Sequence, residues 1–420
     1  MAPSGLAAGI TGADGGVGLR GRDIVCVGFN DWDNELWTNQ HHLMARLARD
    51  NRILFVESLG LRRPTAAGRD VMRMARRLRR GLAGPREVLT GYGALNVLSP
   101  LVVPWHASRL ARRLNAELLP RLVARAARSL GLRRPILWAY VPQAELLVAR
   151  LNPELVVYHC VDDIAAQDRV DSASFQAAEQ RFVASADVVL ASAPSLAERM
   201  KRLSANVHYL PNVADAGLFS QALQDGPVDA QLERLPRPRI VFTGAIAAAK
   251  LDLGLLAQLA ALRPAWSIAL VGPVGLGDPL TDLSALEPLS NVHLLGARPY
   301  EQLPAVLRGA DAALIPYATN PLTASIFPMK VYEYLGAGLG VVSTPLPALQ
   351  GVEGITIASD AASTVRALET LMAEDSVEHR RQRSELAVGH SWDSRLTEIQ
   401  SIVAQAAATA APRHQTPSPA

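Results

Sequence analysis

The chain has 420 residues and a net charge of +3; 49% of it is hydrophobic, and its mean hydropathy is +0.12. This length and composition exclude a disordered chain and a small stapled scaffold, and they leave room for two lobes with cores of their own. Only two cysteines occur, Cys26 and Cys160, both within apolar runs, so buried thiols in a reducing compartment are expected rather than a disulfide framework.

Residues 1–21 are rich in Gly and Ala and lack a basic start followed by an apolar core, which predicts a flexible leader rather than a signal peptide. No run of eighteen apolar residues occurs, which excludes a conventional transmembrane helix and predicts a cytoplasmic protein. Over residues 22–220, strand-like runs at Asp23 to Phe29, Arg52 to Glu57, Leu95 to Leu98, Ile136 to Tyr140, Leu155 to Val161 and Val188 to Ala191 alternate with longer amphipathic stretches. Such alternation implies a parallel sheet covered by helices. The polar, Pro-rich stretch 221–238 predicts a hinge between lobes. Over 239–390 the pattern restarts at Ile240 to Gly244, Ile268 to Gly272, Val292 to Gly296, Ala312 to Pro316, Val341 to Thr344 and Ile355 to Ala358. A final helix over 391–406 precedes an Ala/Thr/Pro tail, 407–420, expected to be disordered.

In the first half, the turn carrying Asn30, Asp31 and Trp32, followed by Trp37, Asn39, Gln40 and His41, is rich in side chains that suit sugars: amides and acids for hydroxyls, indole for a pyranose face. His41 is a candidate base or a satisfied structural histidine. The run Val156 to Val161 ends in Asp162 and Asp163, where a carboxylate could serve as a general base or cap the following helix. Nine arginines between 62 and 86 accompany one acid, Asp70, and eight more between 105 and 134 accompany Glu117. Interleaved leucines, among them Leu110, Leu114 and Leu118, make residues 62–134 basic and amphipathic, fit for an anionic membrane surface or a solvated face. Nucleic acid is not expected, because aromatics for base stacking are scarce between these arginines.

The second half opens with a strand that enters a small-residue turn at Gly244, with Lys250 just before a helix of Leu253 to Leu262. Such a turn lets phosphate approach backbone amides, although neither GxGxxG nor a Walker loop is present. Further on, Pro328 starts and Gly336 and Gly338 stop a short helix that projects Lys330 and Glu333 to one side. A surface ion pair is the plain reading. Free amides, a cation for a diphosphate and a carboxylate for ribose hydroxyls form the other, pointing to a nucleotide diphosphate.

The order of the Gly244 turn, the Gly272-Pro273 strand end, the Gly296-Ala297-Arg298 turn, the Asp311 strand and the Lys330/Glu333 helix resembles the C-terminal lobe of a GT-B glycosyltransferase. The family 4-like bacterial enzymes of exopolysaccharide and cell-wall polymer synthesis are the nearest in kind, and the resemblance spans residues 22–405. It implies an α/β fold of two Rossmann-like domains facing a cleft, and hexosyl transfer needing neither metal nor cofactor. The donor would be a nucleotide-sugar, UDP-linked; the acceptor would be a saccharide or lipid-linked molecule at the inner membrane face. Glu333 would hold the ribose, Lys330 the diphosphate or sugar, and the backbone at Ala297 and Arg298 the base. The family's first glutamate falls at Ser325, leaving Asn320 and Thr323 as the implied contacts to the donor sugar. A nucleotide-sugar epimerase of the same architecture and an inactive saccharide-binding scaffold are the competing readings.

Overall fold

A computed structural model describes residues 19–59, 80, 81, 83–100, 102, 109–167 and 170–409. The leader up to residue 18, most of the first arginine run and the tail from residue 410 lie outside them. Strands β1 (Asp23–Val27), β2 (Arg52–Val56), β3 (Arg86–Leu89), β4 (Ala94–Leu98), β5 (Ile136–Ala139), β6 (Leu155–Cys160), β7 (Val188–Ala191) and β8 (Val207–Tyr209) form the first sheet. Their order is β3-β4-β2-β1-β5-β6-β7-β8, parallel except for β3. The second sheet is wholly parallel. It contains β9 (Arg239–Thr243), β10 (Ser267–Val271), β11 (Val292–Leu294), β12 (Ala312–Ile315), β13 (Val341–Ser343) and β14 (Ile355–Ile357), in the order β11-β10-β9-β12-β13-β14. Every expected strand is present. The unforeseen β3 and β8 are sheet edges, where a strand needs no continuous apolar run, and neither holds a fully buried residue. Cys26 and Cys160 are free and buried in β1 and β6. Among the described residues no helix is long and apolar enough to cross a membrane.

The final helix, Trp392–Thr409, returns to the first lobe, where Trp392, Leu396, Ile399, Val403 and Ala406 join a core containing Ile24, Cys26 and Phe55. Leu19, assigned to the leader, is buried in the same core. The stretch 221–238 differs from the expected hinge. Arg308 donates to the carbonyls of Gln221, Gln224 and Pro227. Arg298 clamps Asp229 at 2.6 Å and Gln231 at 2.6 Å. Arg239 donates to the carbonyls of Glu233 and Leu235. These guanidiniums fix the stretch to the second lobe, so the lobe boundary falls earlier, near Ala214, which bridges Ser391 where the chain crosses back.

The turn after β1 is built around its own polar side chains. The Gln40 side-chain oxygen accepts from the Phe29 amide at 2.9 Å, and its amide donates to the Asn30 carbonyl. His41 Nδ1 accepts from the Thr38 amide at 3.1 Å, and Nε2 donates to the Asp31 carbonyl at 3.0 Å, which sets the neutral Nε2–H tautomer. Trp32 is buried against Phe55, Trp37 and His41, its amide donating to Glu57 at 3.0 Å. Gln40, His41 and Trp32 therefore shape the loop, because a buried polar group needs an internal partner. Asn30, Asp31 and Trp37 of that set stay partly exposed.

Arg298→Ala should leave the Asp229 carboxylate without its main partner and destabilise the protein by about 1–3 kcal/mol. Hydrogen exchange should then rise specifically over 226–236; unchanged protection there would show that the clamp is incidental. Burial pushes the His41 imidazole down to about 4, against the pull of Asp31 and Thr38. The unfolded chain therefore binds the extra proton between pH 6.5 and about 4, so stability is complete above that window and falls through it on acidification. The loss is on the order of 3 kcal/mol. Urea denaturation across the window should show this slope in the wild type and a smaller one in His41→Gln.

Candidate active site

The carboxyl edges of the two sheets meet, and the second lobe's contribution starts where β9 ends. Gly244 has φ +131° and Gly272, at the end of β10, has φ +159°. A Cβ on Gly272 would lie 1.8 Å from the Gly244 carbonyl oxygen, so the adjacent strand ends need a residue without a side chain there. A Cβ on Gly244 would lie 2.5 Å from Lys330 Cε and 2.7 Å from Nζ. The lysine thus lies directly on the bare turn, its Nζ 5.6 Å from the centre of the Phe242 ring.

Lys330 opens the helix Lys330–Gly336, which is shorter than expected. One turn on, the Tyr334 hydroxyl accepts from the Thr243 amide at 2.8 Å and tethers the helix to the end of β9. Glu333 is 6% exposed. Among the described residues neither the Lys330 nor the Glu333 side chain makes a hydrogen bond or ion pair, so the surface ion pair is not formed. Burial would lower the Lys330 ammonium, but Tyr317 and Glu333 outweigh it and hold its pKa above the ordinary lysine value. Burial raises the Glu333 carboxyl above its ordinary value, against the pull of Lys330. The first helix amides differ from expectation: Val331 donates to the Pro328 carbonyl, and Tyr332 and Glu333 to that of Met329. Cationic character comes from Lys330 on the Gly244 turn and not from free helix amides.

Other donor-side candidates divide. Lys250 is partly buried in a turn packed on the segment after β12, with the Ala318 amide donating to its carbonyl at 2.8 Å. The Arg298 guanidinium is spent on Asp229 and Gln231, while Ala297 stays exposed beside it. Thr323 is fully buried, its hydroxyl bonded to the carbonyls of Ala318 and Asn320, and Asn320 donates to the Ala249 carbonyl at 3.0 Å. These two hold their own loop together. Ser325 instead meets the other lobe: Ser195 lies 3.2 Å from its hydroxyl.

Across the cleft, Asp162 follows β6 and is partly exposed. Asp163 pairs with Arg199 at 2.9 Å and makes no side-chain cap, so it belongs to the ion pair. Arg199 also approaches Glu179, which accepts from Tyr158 at 2.6 Å. Asp162 lies beside Asp163 at the carboxyl end of β6. Sequence reasoning missed a relay joining the lobes. Tyr140 donates to Asn39 at 3.0 Å, Asn39 to Asn212 at 2.9 Å, and Asn212 to the Phe327 carbonyl at 2.9 Å, just before the Lys330 helix. No local pattern marks residues drawn from four separate segments. Tyr334 was discoverable, since its i,i+4 spacing from Lys330 places both on one helix face.

Residues 237–374 match the family described as glycosyl transferases group 1. A teichuronic acid biosynthesis glycosyltransferase of Bacillus subtilis (strain 168), TuaH, is 30% identical over 226 residues, 51% of this chain and 56% of that protein. The match thus spans little more than half the length of that relative. Among solved structures, sucrose-phosphate synthase from Thermosynechococcus elongatus superposes with a TM-score of 0.64 at 15% identity, covering 93% of this chain and 100% of that one. Anabaena HepE, in complex with UDP and glucose, superposes with a TM-score of 0.61 at 14% identity over 93% and 100%. The match to the group 1 glycosyltransferases thus covers residues 237–374 in the second lobe, and the two lobes together form a GT-B fold.

Proposed function

We propose that the chain transfers a hexosyl unit from a UDP-sugar to a hydroxyl of a saccharide or lipid-linked acceptor in cell-envelope polymer synthesis. The observation that carries this reading is the unneutralised Lys330 ammonium lying on the side-chain-free Gly244 turn, with the buried Glu333 carboxylate on the same helix. Lys330, with Lys250, meets the charge that develops on the diphosphate as the bond to the anomeric carbon breaks. Glu333 accepts from the ribose hydroxyls, and the exposed backbone at Ala297 faces the base. The acceptor oxygen forms the new bond to the anomeric carbon as the electron pair of the old one passes to the diphosphate. In an inverting reaction the acceptor proton passes to Asp162. The UDP bound in HepE and the polymer named for TuaH support the choice of donor and pathway class.

A thermal-shift series over UDP, GDP and dTDP should show stabilisation by UDP in the wild type, with affinity ~10- to 100-fold weaker in Glu333→Ala. Lack of any Glu333-dependent stabilisation would remove the donor site. Because burial raises the Glu333 pKa, UDP affinity should begin to fall on acidification above the ordinary carboxylate range, and Glu333→Gln should flatten that fall. Lys330→Ala should lower turnover ~100-fold or more. Asp162→Asn should abolish inverting transfer while leaving UDP affinity intact; unaltered turnover would assign Asp162 a structural role.

A further inference from the structure

The helix Arg109–Ser129 covers the first sheet with Leu119, Val123, Ala124 and Ala127. Its outer face is unusual for a solvated helix. Leu110, Leu114 and Leu118 are 67%, 42% and 52% exposed, and the same line continues through Arg121, Arg125 and Arg128, all exposed. At about 100° per residue these six side chains fall in a sector of about 80°. The helix carries a single acid, Glu117, paired with Arg121 at 2.5 Å. The helix connects β4 to β5, both parallel to the strands beside β1, so it starts at the sheet's carboxyl edge. That edge carries Asn30, Asp31 and Asp162, which places the leucine end towards the cleft.

We propose that this face docks on an anionic bilayer, with Leu110, Leu114 and Leu118 entering the interface and Arg121, Arg125 and Arg128 meeting lipid phosphates. Charge selects this occupant. A second copy seated on the same face would set arginine against arginine or arginine against leucine, whereas an anionic interface matches both halves. Docking turns the acceptor side of the cleft towards the membrane, which assigns the acceptor to the membrane-borne, lipid-linked class. This last clause rests on the glycosyl-transfer reading; the docking itself does not. The arginine run before residue 80 lies outside the described residues, while Arg80 and Arg86 pair with Asp33 and stabilise the first loop.

The test is co-sedimentation of the full chain with phosphatidylglycerol/phosphatidylcholine vesicles and with phosphatidylcholine alone. The wild type should sediment with the anionic vesicles only. R121Q/R125Q/R128Q should lower partitioning ~100-fold, from roughly fivefold per arginine. L110S/L114S/L118S should lose the fraction that stays bound at high salt, where screening weakens the charged contacts. Both variants alter exposed positions and should keep the wild-type thermal unfolding; if one does not fold, the other decides. The proposal falls if the wild type ignores anionic vesicles, or if either folded variant binds as the wild type does. It also falls if gel filtration reveals a dimer that the leucine variant dissolves. Binding is read without donor or acceptor, so vesicle binding without UDP stabilisation would overturn the function and leave the docking surface standing.

Discussion

Lys330 Nζ lies 2.7 Å from the point that a Cβ on Gly244 would occupy, and the second lobe's edge of the cleft is arranged around that close approach. Two strand ends, β9 and β10, come together so tightly that Gly272 has no room for a side chain either. Over the Gly244 backbone lie the end of the Lys330 side chain and the edge of the Phe242 ring. Tyr334 locks the arrangement, because its hydroxyl on the Thr243 amide prevents the helix from rotating Lys330 away. Charge, bare backbone and a buried carboxylate therefore share one helix and one turn, which is the combination that a sugar nucleotide's phosphates and ribose require.

The lobes share one apolar core that runs through Ala214, Ala216 and Phe219, and polar contacts join them across the cleft. Asn39, Asn212 and the Phe327 carbonyl pass one hydrogen bond to the next across the cleft, and Ser195 reaches Ser325 beside it. Behind the cleft, Arg46 pairs with Asp215 at 2.6 Å and lies over the rings of Tyr92 and Trp392, joining the first helix, the crossover and the final helix. Such contacts exchange readily with water, as lobes that open and close around substrate require. Three arginines bind the carbonyls and a carboxylate of the Pro-rich stretch 221–238 to the second lobe, and the chain crosses between the lobes near Ala214 and Ser391, which bridge each other.

Polar residues in or beside loops are claimed first by the local structure itself. Gln40, His41, Thr323, Asn320 and the Arg298 guanidinium each suit a sugar or nucleotide by residue type, yet each satisfies a neighbouring backbone or side-chain group. Composition alone cannot separate these uses, because the same donors and acceptors serve both. His41 makes the point energetically: its burial suppresses the charged form that a base must adopt.

The amino-acid sequence by itself determined the two α/β sheets, their central strands and the position of the Lys330/Glu333 helix. Apolar periodicity and Gly/Pro punctuation are local properties, and buried parallel strands express them strongly. The edge strands β3 and β8 escaped, whereas the equally half-buried edges β11 and β14 carry short apolar runs that were read from the sequence. Tertiary structure alone decided that Lys330 rests on Gly244 and does not pair with Glu333, that Asp163 goes to Arg199 while Asp162 stays at the edge, and that Ser325 faces Ser195. Each depends on segments that are far apart in the chain. Their geometry is set by how the strand ends converge, which no single stretch of residues encodes.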